Sequence, residues 1–94
     1  MFARVSTTQV APGRVDAVIS YFQDAIPTTL EGMKGGFVLV DRSRGKVMTI
    51  SLWETKDAMK AAAQIANEIR AKAAETGASE MPWQVDAYEV AVQL

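Results

Sequence analysis

The side chains that most often carry out acid–base, nucleophilic and metal chemistry are scarce in this sequence. The 94 residues include no histidine and no cysteine, which excludes His-dependent catalytic triads, thiolate chemistry and disulfides. Zinc, haem-iron and copper sites built from the usual protein ligands are nearly excluded for the same reason. The carboxylates show no spacing that brings a pair together, so they give little support to general acid–base or hard-metal chemistry. We therefore expect neither a bound metal nor a cofactor.

The remaining candidates for ligand binding are aromatic residues and polar residues on strands. Trp53 could stack on an aromatic ligand or pass an electron, or it could wedge a strand end against the next helix, which is the commoner role of a large aromatic residue. Arg4 could stabilise a phenolate, although such an arginine more often pairs with a carboxylate at the rim of a sheet. Ser6 could hydrogen-bond a ligand or a neighbouring strand. Tyr21 could act as an acid or lie on a helix surface.

The hydrophobic periods along the chain predict four strands and two helices. Strands are indicated over residues 2–10, 37–40, 47–53 and 84–94, and helices over residues 14–26 and 55–76. Pro12 suits the first turn of the first helix, and Pro27 should stop that helix. Thr55 is the expected N-cap of the second helix and Gly77 its end. Gly45 should take the left-handed position of a hairpin connection.

The order βαββαβ predicts an α+β, ferredoxin-like fold. In this arrangement a four-stranded antiparallel sheet carries two helices on one face. The chain length suits a single domain over residues 1–94. Hydrophobic residues make up 49% and charged residues 22% of the chain, and the mean hydropathy is +0.03. These values are typical of a globular chain and argue against disorder.

Apolar side chains occur on both faces of the predicted sheet. In the third strand Met48, Ile50 and Leu52 point one way, and the alternate residues point the other. In the second strand Phe37 and Leu39 form such an apolar set. Two helices can cover only one face, so we expect a second copy of the chain to cover the other in a two-fold homodimer, with the long last strand as extra edge. The alternative is a monomer with a modestly apolar open face, which the threonines and serine on the strands support.

Several segments, taken together, resemble a known family. They are Phe2-Ala3-Arg4-Val5, Pro12-Gly13, Gly32-Met33-Lys34-Gly35-Gly36-Phe37, Val40-Asp41-Arg42, Ile50-Ser51-Leu52-Trp53-Glu54-Thr55 with Ala58-Met59, and Tyr88-Glu89-Val90. Over essentially the whole chain the pattern resembles the antibiotic biosynthesis monooxygenase domain family of the dimeric α+β barrel superfamily. The resemblance implies a homodimer with a pocket in each subunit between the sheet and its helices. Some members of that family oxidise aromatic polyketides with dioxygen and no bound cofactor, and others degrade haem.

The resemblance does not extend to haem degradation. The haem-degrading members use an asparagine on the first strand and a tryptophan and a histidine on the second helix. The corresponding places in this sequence fall at Ser6 and near Ala62 and Lys72. None of the three matches, so we do not expect haem chemistry of that kind.

The resemblance leaves two main functions open. The first is a cofactor-independent monooxygenase-like protein acting on a small aromatic or quinol substrate, and the second is a non-catalytic homodimer that binds a small hydrophobic ligand. A purely structural or regulatory dimer is a third alternative. The absence of histidine removes the easiest general base, so whether the chain is an enzyme stays open. The residues expected to line the pocket are Arg4, Ser6, Tyr21, Phe22, Phe37, Trp53, Met59 and Ala62.

Charge and hydropathy give no reason to expect nucleic acid or membrane as a partner. Ten basic and eleven acidic residues leave a net charge of -1, which is too balanced to attract polyanions. No apolar run approaches the ~20 residues of a membrane span. The first residues lack a basic segment followed by an apolar one, so we do not expect a secretory signal. The expected location is the cytoplasm.

Overall fold

The structure is a computed structural model, and it describes residues 1–25 and 30–94. The elements within these residues are β1 (Phe2–Gln9), α1 (Val15–Ala25), β2 (Met33–Asp41), β3 (Lys46–Trp53), α2 (Lys56–Ala61), α3 (Ala63–Gly77) and β4 (Gln84–Glu89). The predicted βαββαβ order is confirmed, with the second helix divided into α2 and α3. The division falls at Ala62, whose φ of -88° and ψ of 0° lie outside the α region.

The four strands form one antiparallel sheet in the order β2-β3-β1-β4. In the centre of the sheet Ser6 lies opposite Thr49, and Val5 lies opposite Ile50. Because successive side chains point to opposite faces, these two pairs belong to different sides of the sheet. The Ser6 side faces the helices, and we call the Val5 side the open face.

The helix side of the sheet contains two buried apolar clusters. One joins β1, α1, β3 and α3 through Val10, Val15, Val18, Phe22, Val47 and Ala73. The other lies where β3 runs into α2 and contains Trp53, Met59 and Ala62. Thr55 accepts a hydrogen bond from the backbone N–H of Ala58 at 3.0 Å, which confirms it as the N-cap of α2.

The open face retains large exposed apolar side chains. Phe37 is 60% exposed, Leu39 46% and Tyr88 55%. The register places Phe37 beside Ile50 and Leu39 beside Met48, so these side chains form a continuous apolar surface across β2 and β3. The facing that the sequence predicted for these strands is confirmed.

The predicted position of Pro12 is wrong, whereas Gly77 is confirmed as a helix end. Pro12 lies in the turn before α1, which begins at Val15, because Gly13 adopts a φ of +81° that a right-handed helix does not accept. Gly77 is the last residue of α3, and Ala78 after it takes the left-handed conformation, with a φ of 47°. Glycine is needed at position 77 for space, because a Cβ there would lie 2.6 Å from Cγ1 of Val10.

Two predicted strand boundaries also differ from the structure. β4 ends at Glu89, well before Leu94; Glu89 lies opposite Phe2, the first residue of β1, and one more backbone hydrogen bond joins Val90 N–H to the carbonyl of Met1 at 2.9 Å. β2 begins at Met33 rather than at Phe37: Gly35 and Gly36 pair with Leu52 and Ser51, and a bulge between Met33 and Gly35 leaves Lys34 as the extra residue. The left-handed position of Gly45 is confirmed by its φ of +67°.

The expected stop of the first helix, at Ile26 and Pro27, lies outside the described residues. Within the described residues, no helix combines the length and the apolar character that crossing a bilayer requires.

Candidate functional site

A cavity of about 530 Å³ lies between the helix side of the sheet and the helices α1 and α3. Its sheet wall comes from β1, β2 and β3 and includes Arg4, Ser6, Val38, Thr49, Ser51 and Trp53. Its helix wall comes from α1 and α3 and includes Ile19, Phe22, Gln23, Ala66, Ile69 and Arg70. Phe22 belongs to the first buried cluster and Trp53 to the second, so the cavity separates the two halves of the core.

Trp53 forms one end of the cavity and is held rigidly. Its side chain is fully buried, and its indole Nε1 donates a hydrogen bond to Oγ of Ser51 at 2.8 Å. The same ring packs against Met59 and Ala62. Trp53 therefore joins the end of β3 to α2 and also lines the cavity. That it stacks on an aromatic ligand stays a prediction.

Arg4 reaches into the cavity from the central strand and is only 8% exposed. Its Nη2 donates a hydrogen bond to the carbonyl oxygen of Met59 at 2.6 Å. Its guanidinium carbon lies 5.6 Å from the centre of the Trp53 ring, which is within the range of a cation–π contact. The pairing with a carboxylate that is common for such arginines does not occur among the described residues, where the ion pairs involve other side chains.

Arg70 is a second buried arginine on the cavity wall. It is 9% exposed, and its Nη2 donates to Oδ1 of Asn67 on the same helix. The carbonyl of Arg70 accepts a hydrogen bond from the Trp83 indole at 2.7 Å, which fixes this turn of α3. Burial lowers the pKa of both guanidinium groups below their ordinary value, and the charge of Arg4 lowers the pKa of Arg70 further.

The predicted pocket residues separate into two groups. Five of the eight line the cavity, namely Arg4, Ser6, Phe22, Phe37 and Trp53. Tyr21 packs against the first cluster instead, and Met59 and Ala62 are buried beside Trp53 without reaching the cavity wall. That these residues contact a ligand stays a prediction.

Phe37 and Tyr21 differ in their relation to the cavity. Phe37 is among the lining residues, although its register position beside Ile50 places its side chain on the open face of the sheet. Tyr21 is not among the lining residues, and burial raises the pKa of its phenol.

Several cavity residues are absent from the predicted set, and Arg70 is the most informative. Arg70 lies four residues after Ala66 and three before Ala73, so it shares one face of α3 with these two buried residues. A charged residue on an otherwise apolar helix face is the signal that could have identified it. Thr49 and Ser51 lie on the helix side by simple alternation from the buried Val47 and Trp53.

The cavity contains little that could move a proton. Among the described lining residues there is no carboxylate, and the chain has no histidine. The carboxylates weighed from the sequence, Asp16, Asp24, Glu54, Asp57 and Glu68, are all exposed. No group of three or more acidic side chains in residues 1–25 and 30–94 could hold a metal ion. The charged groups among the described lining residues are therefore the two arginines.

No family model matches the chain. Two uncharacterized proteins of Mycobacterium tuberculosis, Rv2557 and Rv2558, are each 35% identical to it, over 78 residues (80% of this chain) and 77 residues (79%). The chain spans about a third of the length of these relatives, 35% and 33% respectively.

Solved structures match the fold over its whole length. A monooxygenase from the gene ActVA-Orf6 of Streptomyces coelicolor, in complex with nanaomycin D, has a TM-score of 0.80 at 14% identity, covering 99% of this chain and 89% of that chain. A variant of SnoaB, a cofactor-independent oxygenase from Streptomyces nogalater, has a TM-score of 0.73 at 16% identity, with 99% and 95% covered. A Deinococcus radiodurans protein assigned as an antibiotic biosynthesis monooxygenase has a TM-score of 0.78 at 15% identity, with 100% and 96% covered.

The chain therefore has the fold of the antibiotic biosynthesis monooxygenase proteins. The resemblance inferred from the sequence is confirmed at the level of the fold.

Proposed function

We propose that the chain is a cofactor-independent monooxygenase-like protein that acts on a small aromatic or quinol substrate in the cavity between sheet and helices. The observation that carries this proposal is the largely apolar cavity of about 530 Å³ closed by a fully buried tryptophan. Its volume is in the range of small-molecule sites, roughly 300–1,000 Å³. The two Streptomyces proteins of the same fold, described as a monooxygenase and as a cofactor-independent oxygenase, give further support.

The proposed reaction makes few demands on the protein. An ionised quinol reduces dioxygen itself: one oxygen atom enters a ring carbon, the other leaves as water, and quinol plus O₂ becomes hydroxyquinone plus water. All the electrons come from the substrate, so no external reductant is needed. The site has to hold the ring in place and keep water away from it. The walls from Phe22, Ile69 and Trp53 supply apolar contact for both tasks.

A second candidate is a non-catalytic protein that binds a small hydrophobic ligand in the same cavity. The observation in its favour is that the described lining residues include neither a carboxylate nor a histidine, so no obvious general base is available. The two candidates share the ligand class and differ only in whether dioxygen is consumed.

Oxygen uptake separates the two candidates. Purified protein is mixed with a panel of anthrones and quinols in an oxygen electrode, and products formed under ¹⁸O₂ are analysed by mass spectrometry. The proposed activity predicts uptake with one labelled oxygen atom in the product. Ala66→Leu, which adds three carbon atoms to the cavity wall, should lower uptake, whereas Ala71→Leu, which adds the same atoms to an exposed position on α3, should not. Tryptophan quenching by the panel without uptake would support the binding protein and contradict the oxygenase.

We further propose that the open face of the sheet is the interface of a homodimer. Phe37 and Leu39 are about half exposed there, at 60% and 46%, and exposed apolar surface of this kind favours association. Sedimentation velocity should show a dimer for the wild type and a shift to monomer for Leu39→Lys. Ile65→Lys on α3, at another exposed apolar position (49%), is the control that should remain dimeric. A stable, folded wild-type monomer at nanomolar dilution would contradict the proposal.

We also propose that residues 1–94 act as one domain. β1 near the start of the chain pairs with β4 near its end, with Phe2 opposite Glu89, so the sheet requires both parts. The cytoplasmic location stays a prediction from composition.

A further inference from the structure

The two arginines on the cavity wall have no acidic partner among the residues that the structure describes. The ion pairs of the described residues are Lys34–Glu54, Arg42–Asp16 and Arg44–Asp41. Arg4 and Arg70 donate instead to a backbone carbonyl and to the side-chain amide of Asn67. Arg4 and Arg70 are each about nine-tenths buried as residues, and both line the same cavity. The cavity therefore contains two positive charges that neutral acceptors hold in place without neutralising them.

Such an arrangement is unfavourable unless something else compensates the charge. A buried charge without an opposite charge loses its hydration and gains no Coulomb attraction. Arginine cannot escape by losing its proton, because its pKa stays far above neutral pH. Burial lowers the pKa of both groups, and the repulsion from Arg4 lowers that of Arg70 further. An anion in the cavity would supply the missing Coulomb attraction and offset the repulsion between the two arginines.

Ser6 provides a third polar group beside the two arginines. Its side chain is 1% exposed and lines the cavity, and its Oγ has no hydrogen-bond partner. Buried hydroxyl groups are nearly always satisfied, so an unsatisfied one calls for an explanation. Ser6 lies two residues after Arg4 on the same face of β1, and so it points in the same direction. A ligand oxygen within reach of Arg4 is the acceptor that this hydroxyl lacks.

We propose that the cavity binds its ligand as an anion, with an ionised oxygen at Arg4, Arg70 and Ser6 and a planar aromatic body against the apolar walls. This inference rests on the proposed function in using the same cavity, and it adds the charge state of the ligand. The chemistry fits an acidic hydroxyl group on a quinone or an aromatic carboxylate. For an oxygenase, two cations beside a hydroxyl group of a bound quinol would favour its ionised form.

Two pairs of probes that differ only in charge test the proposal. The first pair is 2-naphthoate and its neutral analogue 2-naphthamide. The second is 2-hydroxy-1,4-naphthoquinone, which is ionised at neutral pH, and its neutral 2-methoxy analogue. Affinities are measured by isothermal titration calorimetry on the whole chain. We expect the anion of at least one pair to bind ~10- to 100-fold more tightly than its neutral partner, as charge-assisted hydrogen bonds would give. The pair with the larger ratio identifies the source of the anionic oxygen.

Substitutions at the arginines test whether these two residues cause the preference for anionic probes. Arg4→Met and Arg70→Met should each weaken anion binding ~10-fold or more and change the affinity for the neutral analogue less than about twofold. Arg70→Lys keeps a cation and should retain part of the preference. Arg42→Met removes an exposed cation paired with Asp16 and should change neither affinity. Thermal unfolding of each variant shows that it is folded, and the two Met variants should be no less stable than the wild type without ligand.

The possible results distinguish this inference from the proposed function. If both members of each pair bind the wild type with equal affinity, the anion proposal is wrong and the cavity still binds aromatic molecules. If none of the four probes binds, both proposals fail. If the preference for anions survives in Arg4→Met and in Arg70→Met, the charge assignment is wrong.

Discussion

The cavity predicts opposite effects for the same substitution at two positions on one helix. Ala66 and Ala73 both lie on the inner stripe of α3 and are both buried. Ala66 lines the cavity, whereas Ala73 is fully buried in the first apolar cluster. Replacing either residue with leucine adds three carbon atoms to the side chain. At Ala66 these atoms can enter open space, and at Ala73 they meet close-packed neighbours.

The expected magnitudes follow from these two environments. Each added carbon that leaves water contributes about 0.8 kcal/mol, so Ala66→Leu can raise the free energy of unfolding by at most about 2 kcal/mol. Part of the new side chain stays near water in a cavity that is not fully closed, so we expect about 1 kcal/mol, or ~4–8 °C in Tm. Ala73→Leu overpacks the core and should lower the free energy of unfolding by about 1–3 kcal/mol.

Urea unfolding followed by circular dichroism measures both variants. The protein concentration is held equal throughout, because an association of subunits would make the midpoint depend on it. Parallel titrations with 2-naphthoate should show that Ala66→Leu no longer binds. If Ala66→Leu destabilises the protein as strongly as Ala73→Leu, the cavity does not exist in solution, and every proposal that places a ligand there loses its basis.

Three further predictions concern single contacts. Trp53→Phe removes the hydrogen bond to Ser51 and part of a fully buried ring, so the free energy of unfolding in urea should fall by ~1–3 kcal/mol. An unchanged urea midpoint would contradict the claim that the hydrogen bond and the packing of the indole stabilise the fold. Gly77→Ala should also destabilise the protein to urea, although alanine favours helices by ~0.5–1 kcal/mol, because its Cβ would lie 2.6 Å from Cγ1 of Val10; a stabilised variant would show that the packing there is loose. The pKa of the Asp41 carboxyl is lowered, first by the hydrogen bond from Ser43, so its stabilising effect is present above its unfolded pKa and is lost as pH falls through the folded pKa. In Ser43→Ala, carboxyl NMR should show this pKa moved up toward its ordinary value, and no movement would contradict the assigned cause.

The fold could be predicted because strand alternation and helix periodicity are local properties of the chain. Met48, Ile50 and Leu52 alternate with inward-facing residues, and β3 takes the register that this pattern requires. Element ends were less predictable, because they depend on neighbours that are distant in sequence. The last residue of β4, Glu89, pairs with the first residue of β1, and Gly77 is small because Val10 lies against it.

The candidate site was predictable on the strands and poorly predictable on the helices. Alternation alone places Arg4 and Ser6 on the covered side of β1. On a helix, one face can line a cavity in one turn and fill a core in the next, as Ala66 and Ala73 do. Which of the two occurs depends on how far the helix stands from the sheet, and no local pattern encodes that distance. Met59, for example, is buried beside Trp53 and is not among the residues that line the cavity.

The central strand β1 contributes residues both to the open face of the sheet and to the cavity wall. Val5 and Ser6 are neighbours in sequence, yet Val5 belongs to the open apolar face and Ser6 to the cavity wall. Because the side-chain period of a strand is two, a change at one residue alters one surface and leaves the other in place. Ligand binding and association can therefore be perturbed separately, by Arg4→Met on one face and Leu39→Lys on the other. If both substitutions changed both properties, the two surfaces would be coupled through the sheet, and a ligand in the cavity would then shift the equilibrium between monomer and dimer.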